Sequence, residues 1–170
     1  MSGRVLVAGI GNIFLGDDGF GSEVARRLAG EPFPEGVRVT DFGIRGLHLA
    51  YDLLDGYDTA ILIDAAPRGG APGTIYVIEP DLPAEPSPGG SILDAHGMEP
   101  VAVLGLLSTL GGSVGRVLVV GCEPATVEEG IGLSEPVARA VDEAARVVRE
   151  LVAEITHTRE AVVGSAGGPV

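Results

Sequence analysis

Val5-Leu6-Val7-Ala8-Gly9-Ile10-Gly11-Asn12-Ile13-Phe14-Leu15-Gly16-Asp17-Asp18-Gly19-Phe20-Gly21 is the stretch from which the fold can be read. A short run without charge leads into a glycine-rich loop. Beyond Gly19 the pattern changes: Phe20, Val24 and Leu28 recur every four residues, with Glu23, Arg26 and Arg27 between them. That is one apolar stripe on a surface helix. Strand, glycine loop and helix follow in order, and two adjacent carboxylates stand where the helix should start.

The loop is poorly suited to phosphate. A dinucleotide fingerprint needs Gly-x-Gly-x-x-Gly opening a helix, but after Gly11 the next glycine is Gly16, two residues late. A phosphate loop needs Gly-Lys-Ser/Thr, which is absent. Asp17 and Asp18 would repel a pyrophosphate at a helix N-terminus, so a cation is the better match. Their structural alternative is helix capping, where a carboxylate gains from the helix dipole. Adjacent side chains point different ways, so one acid can cap while the other faces a cleft.

Outward from this unit the alternation continues. Val37–Asp41 reads as a second strand, Leu47–Leu54 as a second helix, and Thr59–Ile63 as a third strand with Asp64 at its end. Thr74–Ile78 is a fourth strand. Residues 79–97 carry Pro80, Pro83, Pro86 and Pro88 and form no regular element; a connection this long often has a function. His96 lies near its end. Val101–Leu110 is a third helix, Arg116–Val120 a fifth strand, and 128–133 a glycine-punctuated loop. Ser134 is placed to cap a final helix with Pro136 in its first turn, striped by Val137, Val141, Ala144, Val148, Leu151 and Ile155. Strands alternating with helices imply a three-layer αβα sandwich around a twisted, mainly parallel five-stranded sheet. We expect one α/β domain over 1–155 and a flexible tail over 156–170.

Bulk properties narrow the function. The 170 residues carry 11 Lys and Arg against 24 Asp and Glu, a net charge of −13. Nucleic acid and anionic membrane surfaces both need basic clusters, so neither is expected as a partner. No apolar run approaches a membrane span. The first residues show no signal-peptide pattern, and the single cysteine, Cys122, excludes an internal disulfide. A cytoplasmic protein is the expectation. Cys122 has no indicated histidine partner and reads as a small packed residue.

In open α/β sheets, sites form beyond the carboxyl ends of the strands. The Gly9–Gly21 loop and Asp64 fall on that edge, and His96 enters from the long loop. Asp64 closes an apolar strand, where an acid is costly without a partner; it is either a ligand or a turn former bonded to nearby amides. His48, in a helix of mixed surface character, reads as exposed or structural, and His157, in the expected tail, as no part of a site. Two carboxylates and the imidazole of His96 would suit a first-row transition metal.

Gly9-Ile10-Gly11-Asn12, Gly16-Asp17-Asp18-Gly19 and Gly21 together resemble the N-terminal signature of the hydrogenase maturation endopeptidases. The likeness continues through Ile63-Asp64-Ala65, Ala71-Pro72-Gly73-Thr74, the His96 loop, Gly121-Cys122-Glu123-Pro124 and Gly130-Ile131-Gly132-Leu133-Ser134, covering about residues 4–152. The resemblance implies an endopeptidase that removes a C-terminal extension from a nickel-loaded [NiFe]-hydrogenase large-subunit precursor. It implies nickel recognition by Asp18, Asp64 and His96, with the nickel supplied by the substrate and no organic cofactor. Asp18 stands where some relatives carry glutamate. Phe42 stands where many carry glycine, which would alter the cleft wall. No Gly-x-Ser-x-Gly, His-Glu-x-x-His or Cys/His pair is present, which agrees with a metal that arrives in the substrate. Either the nickel or a carboxylate would activate water. The alternative from another class is a non-catalytic metallocentre-binding chaperone of the same large subunit.

Overall fold

The computed structural model describes residues 3–80 and 100–166. Five strands form one sheet: β1 (Val5–Ile10), β2 (Val37–Gly43), β3 (Thr59–Ala65), β4 (Ile75–Ile78) and β5 (Arg116–Cys122). Their order is β2-β1-β3-β5-β4. β1, β2, β3 and β5 run parallel, while β4 pairs antiparallel with β5 at one edge. The helices are α1 (Phe20–Ala29), α2 (Gly46–Leu53), α3 (Pro100–Thr109) and α4 (Glu135–Ala166), and a one-turn 3-10 helix spans Gly16–Gly19.

The three layers follow from the alternation of side chains along strands whose two faces are both covered. Leu6, Ala8 and Ile10 of β1 face one way and join Ala60 and Leu62 of β3, packed under Leu49 and Leu53 of α2 and Leu104 and Leu107 of α3. Val5 and Val7 face the other way with Ile61 and Ile63, under Phe20, Val24 and Leu28 of α1 and Val137, Ala144 and Val148 of α4. Phe20, Val24 and Leu28, the stripe read from the sequence, are each completely buried.

One difference from the sequence reading stands out. Helix α4 does not stop near Thr156 but continues to Ala166, so the segment expected to be a flexible tail from 156 begins as helix. Thr156 itself is buried, its hydroxyl donating to the Val152 carbonyl at 2.9 Å. Phe42 is 2 % exposed and belongs to the core beneath α2, and it also lines the hollow between the 11–14 loop and residues 41–45.

The feature that positions the site is the contact between α1 and the sheet. A Cβ placed on Gly21 would lie 2.1 Å from the Ile63 carbonyl oxygen and 2.3 Å from that of Ile10. One placed on Gly9 would lie 2.2 Å from the Gly21 carbonyl oxygen and 2.5 Å from Ala25 Cβ. Helix and sheet therefore meet backbone to backbone, which only glycine allows at these two places. The 3-10 turn just before α1 is thereby set over the carboxyl ends of β1 and β3.

Candidate functional site

The site grows from the end of β1. The register of β1 against β2 shifts at Gly9/Ile10, and the Gly11 amide then donates to the Gly43 carbonyl at 2.9 Å. Gly11 has φ +137°, a conformation that side-chain-bearing residues rarely adopt. The chain turns there, and Asn12 presents its amide to Asp18 Oδ2 at 2.8 Å. Asn12 Oδ1 accepts from the Phe14 amide at 2.9 Å, closing the loop on itself. The Asp18 amide donates to the Leu15 carbonyl at 3.1 Å. Asp18 is half-buried on the 3-10 turn.

Asp64 reaches the same place from β3. Its Oδ1 accepts from the Ala65 amide at 2.8 Å, as a turn-forming aspartate would. That oxygen also lies 3.7 Å from the point a Gly11 Cβ would occupy, while the Asp18 carbonyl oxygen lies 1.9 Å from it. Gly11 thus separates Asp64 from the Asp18 main chain, and its missing side chain lets them approach. His96 falls outside the described residues. Among those that are described, no group of three or more His, Cys, Asp or Glu side chains is gathered closely enough to hold a metal ion. His48 and His157 are exposed.

Asp17 does not cap its own helix. Neither the 3-10 turn nor α1 has a side-chain cap. The carboxylate is completely buried and turns to the segment after β5. It accepts from the amides of Ala125 (2.8 Å), Thr126 (3.1 Å) and Ser134 (2.7 Å), and from the Ser134 hydroxyl (2.8 Å). Burial pushes its pKa up, but bonds from the Ser134 amide, the Ala125 amide, the Ser134 hydroxyl and the Thr126 amide outweigh that and hold it below 3.8. The Ser134 hydroxyl, expected to cap α4, is committed to Asp17 instead.

A second buried acid, Glu123, escaped the sequence reading as a structural centre. It is 5 % exposed, and its Oε1 accepts from the Arg68 amide (2.8 Å), the Gly70 amide (2.9 Å) and the Tyr76 hydroxyl (2.9 Å). Those bonds, that of Arg68 foremost, keep its carboxyl below 4.5 despite burial. The loop running on from Asp64 is thus tied to the end of β5. The available signal was the one used for Asp64: an acid directly after an apolar strand. Cys122 is buried, and burial above all pushes its thiol up to about 12. It is no nucleophile at neutral pH, in keeping with a packed residue.

A hollow of about 280 Å³ lies between the 11–14 loop and residues 41–45. Phe14 and Ile44, 60 % and 59 % exposed, give it an apolar rim. Asp41, Arg26 and Arg45 give it a polar side. Asp41 is fixed there, accepting from the Ser22 hydroxyl at 2.7 Å, the Gly43 amide at 3.0 Å and Arg26 Nε at 3.3 Å. The hollow shares Gly11 and Asn12 with the loop that meets Asp18, while Asp18 and Asp64 are not among its lining residues.

The sequence profile of the HycI family, described as hydrogenase maturation protease, matches residues 22–151. The chain belongs to the hydrogenase maturation protease family. A hydrogenase expression/formation protein, HupD, from Rhodobacter capsulatus is 36 % identical over 152 residues, spanning 87 % of this chain and 71 % of the relative. The hydrogenase maturating endopeptidase HybD from Escherichia coli superposes with a TM-score of 0.73 at 28 % identity, covering 89 % of this chain and 93 % of that one. A hydrogenase 2 maturation peptidase from a Thaumarchaeota archaeon gives a TM-score of 0.68 at 31 % identity, over 88 % and 98 % of the two chains. The α/β fold with one antiparallel pair is the fold of these peptidases. The chain is accordingly a peptidase of hydrogenase maturation, and the family expected from the sequence is the one found. Among the described residues no helix is long and apolar enough to cross a membrane.

Proposed function

We propose that this peptidase removes the C-terminal extension of a [NiFe]-hydrogenase large-subunit precursor after nickel insertion, with Asp18, Asp64 and His96 engaging the nickel held by the substrate. The observation that carries the reading is the meeting of the 3-10 turn and β3 around Gly11, which brings Asp18 and Asp64 to one edge of the sheet. Two carboxylate donors leave room for an imidazole and for ligands that the precursor brings with its metal. Nickel seated there would polarise the scissile carbonyl or lower the pKa of a bound water. The hollow flanked by Phe14 and Ile44 would take the peptide on one side of the cut. No organic cofactor enters this chemistry, and the peptidase would act in the cytoplasm.

The experiment is incubation with nickel-loaded and nickel-free precursor, read by intact mass. Wild type shortens only the loaded form. Asp18→Asn, Asp64→Asn and His96→Ala each leave the precursor at full length. Wild-type rates in all three variants would sink the site assignment. Equal cleavage of nickel-free precursor would remove nickel as the recognition element and leave a carboxylate as the general base. A precursor that binds but keeps its mass would point to a chaperone.

A further inference from the structure

Asp17 is adjacent to a proposed nickel ligand, yet among the described residues every bond its side chain makes comes from the segment between β5 and α4. Three donors converge on Oδ2, from Ala125, Thr126 and the Ser134 hydroxyl, and the Ser134 amide binds Oδ1. The main chain runs alongside. The Gly16 amide donates to the Gly130 carbonyl at 2.8 Å, the Asp17 amide to the Thr126 carbonyl at 3.0 Å, and the Gly130 amide to the Phe14 carbonyl at 2.9 Å. Leu15 and Gly130 form a parallel bridge. The 3-10 turn is therefore clasped by a loop more than a hundred residues later, on the side away from Asn12.

We propose that Asp17 is a positioning residue for peptide hydrolysis: its carboxylate is the clasp by which the 124–134 loop holds the turn that presents Asp18. A cap would bond to its own helix, and an acid needed only for solubility would not be buried. The turn is a single one, Gly16–Gly19, too short to hold its shape by its own hydrogen bonds. On the Asn12 side it has, among the described residues, one side-chain bond, from the Asn12 amide to Asp18 Oδ2. On the other side it has the four bonds to the Asp17 carboxylate, which hold in place the main-chain bonds between 14–17 and the 124–134 loop. If those are lost, Asp18 keeps its chemistry but not its place. Asparagine at this position is nearly isosteric, yet it offers one acceptor oxygen and one NH₂ group. With the oxygen at Oδ2 the NH₂ faces the Ser134 amide; flipped, it faces three donors.

The proposal rests on the peptidase reading given above, and its test carries one readout that does not need activity. Amide hydrogen exchange is followed in wild type, Asp17→Asn, Ser134→Ala and Val148→Ala, the last a core change in α4 that lowers stability without touching the clasp. The Asn12 amide, bonded to Asp18, should exchange at least tenfold faster in Asp17→Asn and measurably faster in Ser134→Ala, with no change in Val148→Ala. On nickel-loaded precursor, below the melting temperature of every variant, Asp17→Asn should lose roughly 100-fold in kcat with KM nearly unchanged, the loss expected for displacement of about 1 Å. The double variant Asp17→Asn/Ser134→Ala should lose no more than Asp17→Asn alone, because the two act through one contact. Unchanged Asn12 protection in Asp17→Asn overturns the proposal, as does an equal loss of kcat in Val148→Ala. If Asp17→Asn does not fold, the Ser134→Ala measurements decide alone. Failure of wild type to shorten loaded precursor refutes the peptidase reading and leaves the exchange result standing.

Discussion

Gly11→Ala isolates the geometry that joins the two acids. The new methyl group would sit 1.9 Å from the Asp18 carbonyl oxygen, where real Cβ contacts essentially never fall under 3.0 Å. The obstructing atom is backbone and cannot swing aside, so relief needs a shift of roughly 1 Å in either the turn or Gly11, the scale at which misplacement costs about 100-fold in rate. Alanine at φ +137° adds strain of about 1–3 kcal/mol, and moving Asn12 off Asp18 Oδ2 loses a hydrogen bond worth about 1 kcal/mol. Together these predict a stability loss of about 2–4 kcal/mol, or roughly 5–15 °C in Tm for a chain of this length. The processing rate should fall about 100-fold, equivalent to about 2.7 kcal/mol in the barrier. The assay pairs a thermal melt with the rate of precursor shortening by intact mass, taken well below the melting temperature. Gly30→Ala is the control: a Cβ there meets nothing within 4 Å, so its rate and Tm should match wild type. A Gly11→Ala protein with wild-type rate and Tm would refute the claim that the missing side chain allows the acids to approach.

Three further outcomes follow from the packing and the buried acids. Gly21→Ala puts a methyl group 2.1 Å from the Ile63 carbonyl oxygen and 2.3 Å from that of Ile10, so α1 must lift from the sheet; the midpoint of urea unfolding should drop by the equivalent of about 3 kcal/mol or more, and an unchanged midpoint would contradict the backbone contact. Glu123 has a folded-state pKa below 4.5, so it stabilises the fold above about pH 4.5, and that contribution drains away as the pH falls through the folded-state value. Urea midpoints from pH 6 down to pH 3 should therefore decline more steeply in wild type than in Glu123→Gln, and parallel curves would remove Glu123 from the account. Cys122, with its thiol held near 12, should resist iodoacetamide at pH 8 in the native state and react promptly in urea; fast native alkylation would show the strand end to be open.

The fold was legible because its signals are local. Apolar runs mark β1, β3 and β5, and the four-residue stripe marks α1. Their alternation leaves few topologies open. The direction of β4 was decided elsewhere. The short loop 66–74 crosses from β3 without a helix, and a parallel return needs a crossover of a dozen residues or more. The end of α4 was misjudged because the Gly and Ser residues from Gly164 onward were weighed over Arg159, Glu160 and Ala161, which are good helix formers, and because the burial of Thr156 against the rest of the fold is not a local signal.

The sequence by itself determined that Asp18 and Asp64 end up at one edge of a parallel sheet. Strand direction alone carries each of them there, and the glycine loop before α1 is where the resemblance to the family was read. Apart from the resemblance, which assigned Asp18 to the site, the residues alone did not tell which of the two neighbouring aspartates turns inward. Asp17 and Asp18 share one turn and one local environment in the sequence. They are told apart only by what folds against them: the Asn12 amide on one side, and Ala125, Thr126 and Ser134 on the other. Those last partners lie more than a hundred residues away along the chain. Hydrogen-bond donors so remote reach a carboxylate only once β5 has taken its place in the sheet, and no local pattern encodes that.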